Sequence, residues 1–176
     1  MKITADTNVL VRAITGDHER QSKIAQAELA KADVVALALP MLCELVWVLS
    51  QGYQIRPTEI AQVIRHLLDA RNVMVNRPAV DAGLVMLEAG GDFADGIIAY
   101  EGSWLGAEAF VSFDKRAVGL MGTQAGPFGC FHKLHISREY EDESGLLRCP
   151  GSNRGGERSA LCKVGHLRAV HVTAEG

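Results

Sequence analysis

The first 125 residues predict an α/β fold, a three-layer α/β/α sandwich on a central, mainly parallel sheet. Two observations carry that prediction. Short apolar, β-branched runs alternate with helical runs, and such alternation implies right-handed crossovers with helices on both faces of a parallel sheet. One strand run, "DVVALALP", has no exposed polar face, as expected of a strand covered on both sides.

The elements follow in order. "KITA" (2–5) is a short strand that runs into Asp-Thr-Asn, a helix start. "NVLVRAI" keeps helical spacing until Gly16, and Asp17 is placed to cap a second helix, "HERQSKIAQAELAKA", rich in good helix formers. After "DVVALALP", Pro40 suits the opening of "MLCELVWVLSQ", which Gly52 ends. "RPTEIAQVIRHLLDA" is amphipathic, with Ile60, Val63, Ile64, Leu67 and Leu68 on one face. "NVMVN" reads as a short strand, "RPAVDAGLVMLEAG" and "DFADGIIAYEGSWLG" as helices, "EAFVSFD" as a strand, and "KRAVGLM" as a short closing helix.

A chain of 176 residues is long enough for one well-cored domain and too short for two of ordinary size. Its 48% hydrophobic and 22% charged residues are those of a soluble globular protein. No apolar run approaches the ~18 residues of a membrane span, and Asp6 interrupts the N-terminal apolar stretch too early for a signal peptide. The expectation is a cytoplasmic protein with no membrane partner. A net charge of -3 lacks the basic surplus of most nucleic-acid binders, yet a cation held by carboxylates presents positive charge to phosphate. Only Cys43 of the four cysteines lies before residue 126, so disulfides do not build the core, and Cys43 reads as a packing residue.

The acids are harder to account for. Glu44 sits in a helix otherwise apolar on every side, where a carboxylate costs several kcal/mol unless paired or bound to a cation. A glutamate at an exposed helix edge is the alternative. Asp6 follows the first strand and Asp114 follows "AFVSF", and in a parallel sheet both strand ends lie along the edge where ligand sites gather. Asp92 and Asp95 open their helix on one face, where the macrodipole favours negative charge. Asp92 reads equally as an N-cap worth ~1 kcal/mol. If these groups converge, they cannot all stay ionised in a dry cleft without a counter-cation. Oxygen donors with no imidazole or thiolate among them select Mg²⁺ or Mn²⁺ over Zn²⁺. Such a site suits in-line hydrolysis of a phosphodiester.

"ADTNVLVR", Glu44 in "LCELVWVL", "DFADGIIAYE" and "FVSFDK", in this order and spacing, resemble the PIN-domain ribonucleases, specifically the VapC-type toxins of bacterial type II toxin–antitoxin systems. The resemblance covers about residues 1–125. It implies a Mg²⁺- or Mn²⁺-dependent endoribonuclease acting on RNA, usually a homodimer, held inactive by a cognate antitoxin. The family's acidic quartet falls on Asp6, Glu44, Asp95 and Asp114, with Asp92 an accessory acid. Asn8 and Ser112 match positions that support the acids by hydrogen bonding. Arg12, Lys115 and Arg116 lie near the expected strand edge, where RNA phosphates and solvent are both possible partners.

Residues 126–176 depart from the family. Glycine is scattered through them, Glu139–Glu143 is an acidic cluster, and no apolar period is sustained, so an atypical, poorly ordered tail is expected, with "KLHI" and "RAVHV" as candidate edge strands. The abrupt switch is what a frame change in the coding sequence produces. Cys130, His132, His135, Cys149, Cys162, His166 and His171 fit no compact zinc spacing. Two other functions remain in view. Aspartate-based phosphotransfer needs a second acid two residues after Asp6, where Asn8 stands, or an adjacent acidic pair that Asp6 lacks. A catalytically impaired module that mainly binds an antitoxin would use an apolar helical surface such as the one containing Trp47 or Ile60–Leu68.

Overall fold

The structure, a computed structural model, describes residues 1–123 and 133–135. The chain begins with β1 (Lys2–Thr4), whose end leads through Ala5 and Asp6 into α1 (Thr7–Thr15). Gly16 terminates α1 in the left-handed conformation at φ 67, returning its N–H to the Arg12 carbonyl. α2 (Glu19–Lys31) packs back on α1. Its cap is His18, whose ring accepts from the Gln21 N–H at 3.3 Å. Asp17, expected as that cap, is instead held by the Arg12 guanidinium, the Tyr53 hydroxyl at 2.6 Å and the Thr15 hydroxyl at 3.0 Å. Three donors outcompete one amide.

β2 (Val34–Ala36) is shorter than "DVVALALP" suggests, because Leu39 already begins α3 (Leu39–Trp47), with Pro40 in its first turn. α3 passes without a break into a π-helical turn, Val48–Gly52. α4 (Pro57–Asp69) opens on a capping box between Arg56 and Glu59. β3 (Val73–Met74), α5 (Arg77–Glu88), α6 (Phe93–Trp104), β4 (Ala109–Val111), α7 (Lys115–Thr123) and β5 (Lys133–His135) complete the described chain.

Every strand pairing among the described residues is parallel. β2 is central, with Ile3 opposite Val35 on one side and Val73 opposite Val35 on the other. β4 pairs with β5 in a second ladder, Phe110 opposite Leu134, so "KLH" does form an edge strand. The α/β class stands, but the described residues are mostly helical, and their strands form two small ladders. Strands of two or three residues carry too few bonds to extend one ladder across the whole fold. The other tail expectations, including "RAVHV", the cysteine and histidine positions and poor order, lie outside the described residues apart from 133–135.

Two cores result. The larger gathers Leu10, Val35, Leu42, Leu45, Ile60 and Ile64 around β1–β3; the smaller gathers Met86, Ala99, Phe110, Val118 and Met121 around β4 and α7. The α5–α6 hairpin serves both, sending Val80, Leu84, Phe93 and Ile97 to the first and Ala82, Met86 and Ala99 to the second. Its two helices touch closely because Gly83 and Gly96 leave room. A Cβ on Gly83 would stand 2.7 Å from the Phe93 ring, and one on Gly96 would run into the Ala82 carbonyl. Residue 95 is thus carried on a helix whose depth is set by its neighbour Gly96. Among the described residues no helix is long and apolar enough to cross a membrane.

Candidate functional site

The acidic residues fall into two groups. The first lies where β1 hands over to α1. Asp6 is exposed and accepts from the Asn8 side-chain amide at 3.1 Å. Between them Thr7 is 5% exposed, and its hydroxyl donates to Glu44 Oε2 at 2.6 Å. Glu44 is an exposed residue, which corrects the expectation of a buried carboxylate. α3 buries Met41, Leu42, Leu45 and Val46 but leaves Pro40, Glu44 and Trp47 open as a stripe at helical spacing. Composition concealed that stripe because two of its three residues are apolar.

The second group gathers at the starts of α6 and α7. Asp92 caps α6, its Oδ1 accepting from the Ala94 N–H at 2.8 Å. Asp114 caps α7, its Oδ1 accepting from the N–H groups of Arg116 at 2.8 Å and Ala117 at 3.3 Å. The Asp114 N–H in turn donates to the Ser112 hydroxyl at 3.0 Å, which fixes the turn after β4. Asp95 is half-buried and meets no hydrogen-bond donor among the described residues. Its pKa is raised, first by desolvation and then by the charges of Asp92 and Asp114. Desolvation also raises the pKa of the half-buried Cys43 thiol, with Asp92 adding to the effect. The start of α6 therefore faces α3.

Of the expected cations, Arg12 is engaged by Asp17 and Lys115 is exposed at the first position of α7. Arg116 lies against Gly90, which sits at φ 86; a Cβ there would stand 2.7 Å from Arg116 Nη2. Arg116, Asp92, Asp114, Cys43 and Trp47 line one cavity of about 270 Å³. A larger groove of about 470 Å³ runs between α1 and α2 past Asn8, Arg12 and Ile24. Its lining residues include none of the five acids.

Asp92, Asp95 and Asp114 are thus brought within electrostatic range of one another, and Asp6, Asn8 and Glu44 are linked through Thr7. The structure does not close all of them into one cup. Among the described residues, no three His, Cys, Asp or Glu side chains stand together as a ready set of metal ligands. Carboxylates that repel each other turn instead to the amides of their own helices. The donor chemistry nevertheless fits a hard divalent cation: every candidate ligand is a carboxylate oxygen, and among the described residues the charges that act on Asp95 are those of Asp92 and Asp114. Sequence reasoning missed Thr7. Its signal was available, since the residue between Asp6 and Asn8 starts a helix whose next buried positions are Leu10 and Val11.

A family model described as "PIN domain" matches residues 3–118, a span that includes all five acids. Neither a curated protein nor a solved structure matches the chain.

Proposed function

The chain belongs to the PIN-domain family, a nuclease-type fold, and from that premise we propose that it is a Mg²⁺- or Mn²⁺-dependent endoribonuclease. The finer reading is a VapC-like toxin whose domain spans residues 1–125, working as a homodimer and neutralised by an antitoxin. The two strand ladders are taken as halves of one three-layer sandwich, which brings the ends of β1 and β4 to the same edge.

One observation carries this reading: Asp95 is desolvated, faces two like charges and, among the described residues, has no donor to offset them. An ionised carboxylate in that position favours a cation from outside the protein. Asp6 and Asp95 would hold the ion, Glu44 and Asp114 would orient water beside it, and Asp92 would support the cluster from the α6 cap. Mg²⁺ or Mn²⁺ held there supplies Lewis acidity to the phosphate oxygens. Thr7 holds Glu44 in a fixed orientation, Asn8 does the same for Asp6, and Ser112 sets the turn that presents Asp114. One of the carboxylates takes the proton of the attacking water. Arg116 and Lys115, at the start of α7, would meet RNA phosphates.

The test is incubation of the purified full chain with total RNA, with and without Mg²⁺, and mapping of the cut ends. Cation-dependent cuts that disappear in Asp95→Asn are expected. Cleavage that persists in EDTA would overturn the assignment.

A further inference from the structure

We propose that Trp47 is a stacking platform for one unpaired base of a single-stranded RNA, seated in the cavity it shares with Arg116, Asp92 and Asp114. The inference rests on the ribonuclease reading and deepens it by naming the residue that seats a base beside the reaction centre.

Trp47 is the last residue of α3 and is 64% exposed, although the helix around it supplies much of the core. A tryptophan is a large apolar group whose exposure asks for an explanation more than that of a scattered leucine. It stands one helical turn beyond Cys43 and Glu44, on the side of α3 that faces the start of α6. The π-helical turn begins at the next residue, with the Tyr53 N–H bonded to the Val48 carbonyl. Such turns gather at functional sites because the extra residue re-aims the side chains around it. Here Ser50 and Gln51 line the cavity beside the indole.

The cavity of about 270 Å³ falls below the ~300–1,000 Å³ of pockets that engulf a drug-sized ligand. It suits one planar ring rather than a whole partner helix. Its contents match a nucleotide part by part. The indole offers a face for stacking, Ser50 and Gln51 offer hydrogen bonds to a base edge, and Arg116 offers charge to a phosphate. Asp92 and Asp114 line the same cavity, which puts that nucleotide next to the proposed reaction centre. A base paired within a duplex presents no free face, so the platform selects unpaired RNA.

The chain has two tryptophans, and Trp104→Phe leaves Trp47 as the only indole emitter. Titrating that protein with a single-stranded RNA of about ten nucleotides, within the usual site sizes, should quench Trp47 emission. The same sequence as a duplex should not. In cleavage assays Trp47→Ala should raise KM by about 5- to 150-fold, the range that loss of one stacked base predicts, with kcat unchanged. Trp47→Phe should recover part of the loss. RNA that is cleaved without altering Trp47 emission, at a KM indifferent to Trp47→Ala, would overturn the platform and leave the ribonuclease reading standing. Quenching by an RNA that is never cleaved would do the reverse. If RNA leaves the emission unchanged while Trp47→Ala alters the oligomeric state, this face is a protein interface and the proposal is wrong.

Discussion

The carboxylates of the β1–α1 junction and those at the starts of α6 and α7 are handled in opposite ways. At the junction the chain supplies its own partners: the buried Thr7 hydroxyl for Glu44 and the Asn8 amide for Asp6. At the helix starts Asp92 and Asp114 are each bonded to local amides, while Asp95 is half-buried, raised in pKa by desolvation and by those two charges, and without a donor among the described residues. Internal pairing orients the first group. The second is an electrostatic imbalance retained in the folded state. It is this imbalance that points to an external cation.

The largest effect that can break the comparison is on activity. Asp95→Asn removes the charge that the second group presents and should lower RNA cleavage by 10²-fold or more, the scale set by losing one key stabilising group in a reaction centre. The same change relieves repulsion, so the variant should be slightly more stable than the parent at neutral pH. Measured cleavage and thermal melting side by side separate the two effects; a variant that is both active and unaltered in stability would remove Asp95 from the account.

Gly96→Ala comes next. Its new Cβ would meet the Ala82 backbone carbonyl, so α5 and α6 must part, at about 1–3 kcal/mol of stability. Because both cores share this hairpin, Tm should fall by several degrees and Asp95 should shift with its helix. A melting curve identical to the parent's would show that the helices do not approach as closely as described.

At the junction, Thr7→Val keeps the shape and deletes the hydroxyl. The lost bond to Glu44 is expected to cost ~1 kcal/mol, with Thr7→Ser restoring it, as read by denaturant unfolding. Equal stability of the valine and serine variants would mean that the bond carries no weight.

The smallest effects concern pH, where two aspartates have opposite signs. Asp17 is held at about 2, chiefly by Arg12 and then by Tyr53. Its contribution is present above the ordinary value of 3.8 and is lost as pH falls from there towards 2. Asp95 is raised above 3.8, so its unfavourable contribution is absent below that value and grows as pH rises through the folded pKa. Stability of Asp17→Asn should therefore fall short of the parent's at neutral pH and match it near pH 2. Asp95→Asn should exceed the parent at neutral pH, by ~1 kcal/mol or less given solvent screening, and match it below 3.8. Curves that do not converge at low pH would contradict both assignments.

Much of the local structure was legible in the sequence. Pro40, Gly16 and Gly52 mark helix limits through backbone geometry alone, and amphipathic spacing identifies α4 without reference to the rest of the fold. Asp92 as a cap was one of its two sequence readings, and the amide of Ala94 is its partner. What the sequence hid is tertiary. The exposure of Glu44 and Trp47 depends on which stripe of α3 the neighbours leave open. Likewise, the choice of His18 over Asp17 as a cap depends on Tyr53, thirty-six residues away in sequence. The bond from Thr7 to Glu44 spans thirty-seven residues and has no local signature. Division of the sheet into two ladders reflects strand lengths that composition overstates.

Whether the two acidic groups act as one cation site is decided most directly by Mn²⁺-dependent melting of the full chain and of the Asp6→Asn and Asp95→Asn variants. An ion bound only to the folded protein raises stability by about 2.7 kcal/mol at a hundred times its Kd. The account predicts a rise in the parent that is lost in each variant, because one ion is shared across the groups. A parent whose Tm does not move at millimolar Mn²⁺, or an Asp6→Asn protein that keeps the full rise, would contradict it.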